Sequence, residues 1–223
     1  MDTGYRMDDL SPEEVEAERA LYAPFAQSIR ELVDAGIRTT VDADEIRRAQ
    51  AEIEAITARL RTSQLEGTYG VRFRTDGRGR AWGNAVVGLR NAVAPPLTVT
   101  PDERGVRSDF HLGAAYEGPP GSVHGGVLAL VLDQLLGEAA GAGGKPGMTA
   151  TLTLTYRQRT PLGDLSCSAW IERSDGIKTW ARGEIVGPDG VTVEAEGLFI
   201  LPKWAREALA RRDPAQPTPT YFE

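Results

Sequence analysis

Between Gly125 and Glu138 the chain runs for twelve residues with one charge, Asp133. Read at 3.6 residues per turn, Val127-Leu128-Ala129-Leu130-Val131-Leu132-Asp133-Gln134-Leu135-Leu136 has no polar face to give to water. Such a helix is expected to be buried. It also keeps a carboxylate, and burying an unpaired charge is costly. Asp133 is therefore paired, hydrogen-bonded or used.

At 223 residues the chain holds one sizeable core, or one domain and an extension. The texture divides it into a helical extension (1–65), a connecting segment (66–96), a main domain (97–202) and a short helix with a loose tail (203–223). In the extension, Ser11-Pro12-Glu13-Glu14 is a helix start with Pro at its first position. Leu21, Phe25, Ile29, Leu32 and Val33 follow at helical spacing, and Gly36 is expected to end that helix. Asp42 or Asp44 caps a second helix with the stripe Ile46, Ala49, Ile53, Ile56 and Leu60. The expectation is a helical hairpin packed on the domain or on a partner chain. The connecting segment is rich in Gly and Arg and reads as a long connection with one strand.

From Leu97 two strands (Leu97–Thr100 and Val106–Leu112) precede the loop Glu117-Gly118-Pro119-Pro120-Gly121, and the apolar helix runs to about Ala140. Four strands follow: Met148–Arg157, Leu165–Arg173, Lys178–Val186 and Val191–Leu201. Their short turns predict an antiparallel meander. A buried helix beside one curved antiparallel sheet is an α+β arrangement, the hotdog shape.

The helix start can do chemistry. Its first backbone N–H groups lack intrahelical partners, the dipole is positive there, and Gly125 and Gly126 leave the approach open. That is a place for an oxyanion or a polarised carbonyl. Asp133 is eight residues on, or ~12 Å along one axis. A reacting carbonyl needs an oxyanion donor and a base within about 3 Å of each. One helix cannot offer both, but two antiparallel copies can, so joint action would place the site across a two-fold interface. Thr149 could bond Asp133. By strict alternation, however, it shares the face of Thr151, Thr153 and Thr155 rather than that of Leu152, Leu154 and Tyr156. It reaches Asp133 only if the strand is irregular at its start.

Other candidates have plainer readings. His111 is a structural strand residue, Cys167 a small core residue, and Trp170, Trp180, Tyr156 and Phe199 are core or interface aromatics. Arg157, Arg159, Arg173, Lys178 and Arg182 are solvated strand charges unless phosphates meet them. Gly121-Ser122-Val123-His124-Gly125 does not fit a nucleophile elbow. Two histidines and one cysteine do not make a His/Cys zinc site.

Tyr116-Glu117-Gly118-Pro119-Pro120-Gly121-Ser122-Val123-His124-Gly125-Gly126, with Asp133, Thr149, Thr155-Tyr156-Arg157 and Pro161-Leu162-Gly163, resembles the hotdog-fold acyl-CoA thioesterases. The nearest groups are the phenylacetate-pathway type and the mitochondrial long-chain enzymes. The resemblance spans about residues 97–201. It implies metal-free, cofactor-free hydrolysis of an acyl-CoA by a homo-oligomer, a dimer or a dimer of dimers. It makes Asp133 the general base or nucleophile, Thr149 its positioner or that of the water, the Gly125 N–H the oxyanion donor, and His124 an orienter of substrate. Gly126, Gly121, Tyr156 and Arg157 would bind substrate. Many relatives carry an Asn in the loop before the His, where this chain has Glu117.

The competing readings are a hotdog enoyl-CoA hydratase or dehydratase, with His111 as its histidine, and a catalytically idle acyl-CoA or lipid-binding module. The net charge of −7 is concentrated in residues 1–65, which hold 14 acids and 8 bases. This gives no basic face for nucleic acid or for an anionic membrane. No apolar run is expected to reach a membrane span. One cysteine fits a reducing compartment, and the expected location is cytoplasmic.

Overall fold

The computed structural model of the protein describes residues 5–74, 79–95 and 97–210. The order is β1 (Tyr5–Met7), α1 (Pro12–Arg38), α2 (Ala43–Leu60), β2 (Val71–Phe73), β3 (Gly79–Arg80), β4 (Thr100–Pro101) and β5 (Val106–Leu112). A 3-10 turn at Ala114–Tyr116 leads to α3 (Gly125–Ala142). Then come β6 (Met148–Tyr156), β7 (Gly163–Asp175), β8 (Lys178–Gly187), β9 (Gly190–Ile200) and α4 (Lys203–Ala210). The expected loose tail lies outside the described residues beyond 210.

The main sheet has six antiparallel strands in the order β4-β5-β7-β8-β9-β6. The expected four-strand meander is therefore wrong at its first step. Only β7, β8 and β9 form one; β6 lies at the far edge on β9, and Pro161-Leu162-Gly163 opens a crossover rather than a hairpin. The sheet wraps α3, as the hotdog arrangement requires. Val131, Leu132, Leu135 and Leu136 are fully buried against Val106, Leu112, Ile185, Val193 and Phe199. Each such side chain contributes roughly 1.5–3 kcal/mol relative to exposure. Gly183 on β8 and Gly197 on β9 let the helix come close, because a Cβ at either would lie 2.9 Å from a Leu136 methyl. By length and composition α3 could also cross a membrane, contrary to the expectation, but in this fold one side of it, with Leu128, Val131, Leu132, Leu135 and Leu136, is packed on the sheet, while Leu130 on the other side is 40% exposed.

The extension departs from a hairpin. Its start is as read: Ser11 Oγ accepts from the Glu14 N–H (3.2 Å), and the Glu14 carboxylate accepts from the Ser11 N–H (2.8 Å). Gly36 does not end α1, which continues to Arg38 and stops at the extended Thr39. Asp42 caps α2. The two helices share no packed face. α1 is tied to the domain: Val15 and Ala26 are buried, and the Arg30 guanidinium donates to Ala94 O and Asn91 O, each at 3.2 Å. Arg80, 1% exposed, pairs with Asp8 and Glu18.

The connecting segment carries two short strands rather than one. With β1 they make a small sheet, and Trp82, Val86 and Ala94 of the same segment are buried. The strand expected at Leu97–Thr100 is confined to β4, and Leu97 itself is buried beside the core.

Candidate active site at the start of the central helix

The loop before α3 is held from both sides. The His124 N–H donates to Tyr116 O (2.9 Å) and the Val123 N–H to Thr160 O (2.9 Å). Gly121 turns at φ +70°, where glycine has no steric penalty, and its N–H donates to a Glu117 carboxylate oxygen (2.7 Å). Glu117, noted as a departure from the resemblance, thus closes its own loop. Arg159 donates to Ser122 Oγ (3.0 Å) and Pro120 O (2.8 Å).

His124 is the N-cap of α3. Its Nδ1 accepts from the Gly126 N–H at 3.0 Å, which puts the ring proton on Nε2. Gly126 is therefore spent on the cap. Among the described residues the Gly125 N–H has no acceptor, so of the two glycines it is the one with a donor to offer a ligand. Tyr156 reaches this corner as well, its hydroxyl donating to Gly125 O (2.9 Å). The Arg157 guanidinium is engaged by Glu194 on β9 (2.7 Å).

Thr149 meets Asp133: its hydroxyl donates to Asp133 Oδ1 at 2.8 Å. Alternation alone would forbid this, and a bulge permits it. The register shifts between Thr149 and Thr151, so Thr149 pairs with the inward-facing Phe199 while Thr151 pairs with Leu198. Beyond the bulge Leu152, Leu154 and Tyr156 take over the inward face. The irregularity required by the sequence argument is present.

Asp133 is only half-buried in a single chain; the buried acid of α3 is Glu138, at 7% exposure. Its carboxylate accepts from Gln134 Nε2 (2.6 Å), and Gln134 Oε1 accepts from Asn84 Nδ2 (3.1 Å). Burial pushes its pKa up to about 7, partly offset by the Gln134 hydrogen bond. It borders a cavity of about 250 Å3 that Arg30, Arg80, Trp82 and Leu97 also line and Asp133 does not. In the sequence Glu138 reads only as the boundary of the apolar run. The available signal was its i, i+4 spacing from Gln134 in a helix without a polar face.

A carboxyl with a raised folded pKa binds more protons folded than unfolded between pH 4.5 and about 7, so its contribution to stability falls as pH rises through that window. The full effect is on the order of 3 kcal/mol. Glu138→Gln keeps the shape and is expected to flatten this dependence, raising the Tm at pH 8 by roughly 5 °C or more. Thermal unfolding followed at pH 5 and pH 8 checks it; an equal change at both would exclude the protonation effect.

Other candidates fall elsewhere. His111 lies on the outward side of β5, bonded through Nδ1 to Asp164 (2.7 Å), so the hydratase reading loses its histidine. Cys167 is buried, and burial pushes its thiol up to about 12. Phe199 is core, whereas Trp170 and Trp180 carry the guanidiniums of Arg104 (3.9 Å) and Arg173 (3.4 Å). Among the described residues no three His, Cys, Asp or Glu side chains are placed to hold a metal ion.

A sheet wrapped on one helix, with a free amide at its start and a hydroxyl-bonded acid midway, defines a hotdog protein with a candidate hydrolytic site. Comparison with known proteins supports the fold class. A family model described as the thioesterase superfamily matches residues 120–194. A crystal structure of a thioesterase superfamily protein is 36% identical, superposes with a TM-score of 0.73, and is covered over 94% of its length by 80% of this chain. The chain belongs to the thioesterase superfamily. It is also similar to the acyl-coenzyme A thioesterase THEM4 of Xenopus laevis, 36% identical over 96 residues, or 41% of this chain and 42% of that protein. The THEM4 of Mus musculus is 34% identical over 101 residues, 44% of each. The match spans less than half the length of these curated relatives.

Proposed function

We propose that the chain hydrolyses an acyl-CoA thioester to a free acid and CoA, in two sites shared between the subunits of a homodimer. The observation that carries this is the Thr149 Oγ–Asp133 Oδ1 hydrogen bond on a helix whose first amide, at Gly125, is unspent. The names of the THEM4 relatives support the acyl-CoA class.

The chemistry follows from the groups. The Thr149 hydroxyl fixes Asp133 through Oδ1, leaving Oδ2 to accept a proton from water. The resulting hydroxide adds to the thioester carbonyl carbon. The carbonyl oxygen becomes an oxyanion against the Gly125 N–H of the partner subunit, at the positive end of its helix. Collapse breaks the C–S bond, and the thiolate takes the proton from Asp133, which returns to carboxylate. Asp133 as a nucleophile would instead form a mixed anhydride that water then opens. The ~12 Å between Gly125 and Asp133 within one α3 is why the amide comes from the other subunit. His124 directs Nε2–H outward toward substrate and holds the helix start through Nδ1.

The deciding experiment is thiol release from a panel of aromatic, medium-chain and long-chain CoA esters. Release by the wild type supports the reading. Tight binding without release would leave a binding module. Thr149 acts through Asp133, so it is a positioning residue. Thr149→Val is expected to lower kcat roughly 10–100-fold with KM little changed, because a hydrogen bond to a charged group is lost. Thr149→Ser is expected to restore most of it; a serine variant as poor as valine would mean that the methyl group's packing, not the hydroxyl, is what matters.

A further inference from the structure

Helix α2 has no buried residue and shares no packed face with any described element. Ile46, Ile53, Ile56 and Leu60 are 40–51% exposed. What holds the helix is local: Asp42 accepts from the Asp44 and Glu45 N–H groups (3.0 and 2.9 Å), and Asp44–Arg47 and Glu45–Arg48 pair along it. Most of a helix's stability in a protein comes from packing its amphipathic face, because nucleation is costly and local pairs give little. An amphipathic helix that buries nothing lacks the packing that normally stabilises one.

The spacing says what kind of partner fits. Ile46, Ala49, Ile53, Ile56 and Leu60 advance by alternating steps of three and four, the a and d positions of a coiled coil. That seam is narrower than the stripe of a helix lying on a sheet. The flanks give the direction. One carries Glu45, Glu52 and Arg59, the other Ala43, Gln50 and Thr57. A parallel pair sets one flank against the other, so Glu45 faces Gln50 and Glu52 faces Thr57, and no opposite charges meet. An antiparallel pair sets each flank against its own kind. Glu45 of one helix then meets Arg59 of the other, twice by symmetry, and the helix dipoles oppose. Glu52 meets its copy at the middle, where both reach water. In the seam Ile46 lies against Ile56, and the small Ala49 against Ile53.

We infer that α2 pairs antiparallel with α2 of a second copy of this chain. The contact is separate from α3 and does not depend on the catalytic reading. A seam of two heptads is short, and any other contact that already holds two copies together strengthens it by raising the effective concentration.

Cross-linking tests this directly. Cys167 is buried and its thiol is held up to about 12, so introduced cysteines are the ones that oxidise. Two differently tagged full-length copies, one Ile46→Cys and one Ile56→Cys, are expressed together and exposed to mild oxidant. The expected result is a disulfide-linked pair carrying both tags, while Ile46→Cys alone stays largely single. Ile53→Asp in the same background, with the sheet's circular dichroism unchanged, is expected to cut the cross-link at least tenfold. No cross-link in the mixture, equal cross-linking by Ile46→Cys alone, or no effect of Ile53→Asp overturns the proposal. So does protection of Ile46→Cys from a maleimide in dilute monomer, which would mean that another segment or another protein covers the stripe.

Discussion

Asp133→Asn is expected to remove acyl-CoA hydrolysis by roughly 10²–10⁴-fold in kcat while leaving the fold intact, the range that a positioned general base contributes. The substitution is nearly isosteric. The asparagine carbonyl can still accept from the Thr149 hydroxyl, so the bond at 2.8 Å need not break. The side chain is half-buried in the chain, so losing its charge is expected to cost little stability. What disappears is the capacity to accept a proton or to attack a carbonyl. Thiol release measures the loss, and thermal unfolding should show a Tm within a few degrees of wild type. Near-full activity would remove Asp133 from the chemistry. A collapse in Tm alongside the loss of activity would make it a structural acid instead.

The central helix was legible because its apolar run leaves one solution. No polar stripe exists from Val127 to Leu136, so most of the run has to be covered: Leu132, Leu135 and Leu136 are fully buried by the sheet, while Leu130 on the opposite side stays 40% exposed. Strand positions were also legible from the turn residues between them. Strand order was not: whether Pro161-Leu162-Gly163 turns the chain back or carries it across the sheet depends on partners far along the sequence, here β9 for β6 and β5 for β7. The Thr149–Asp133 contact could be stated only as a condition, since a bulge is a two-strand property that one strand's alternation does not contain.

The site's finer electrostatics were less accessible. The sequence shows two adjacent glycines at the helix start, yet His124 Nδ1 takes the amide of Gly126 and leaves that of Gly125. Only cap geometry distinguishes the two. Likewise the sequence pointed to Asp133 as the acid in an apolar setting, while the loop around Trp82 and Asn84 buries Glu138 more deeply. That loop belongs to a segment whose composition reads as a mere connection.

Gly125→Pro is expected to reduce kcat roughly 10²–10³-fold, the usual effect of removing one oxyanion donor. Proline deletes the N–H, and this is the place in α3 that tolerates it. Gly125 is the first helical residue, where proline is favoured, and His124 before it is extended (φ −63°, ψ 132°), as a residue preceding proline should be. The added Cβ would approach the tip of Tyr156 at 3.3 Å, which a small shift of that ring relieves. Gly125→Ala keeps the amide and is expected to retain most activity, which separates the lost donor from the added bulk. The two inactive variants together then test whether the site is shared. In a mixed dimer of Asp133→Asn and Gly125→Pro chains, one of the two shared sites draws both of its defects, and the other combines an intact acid with an intact amide. Random pairing should therefore restore about a quarter of wild-type activity. Were acid and amide to act within one chain, every site would carry a lesion and the mixture would stay dead.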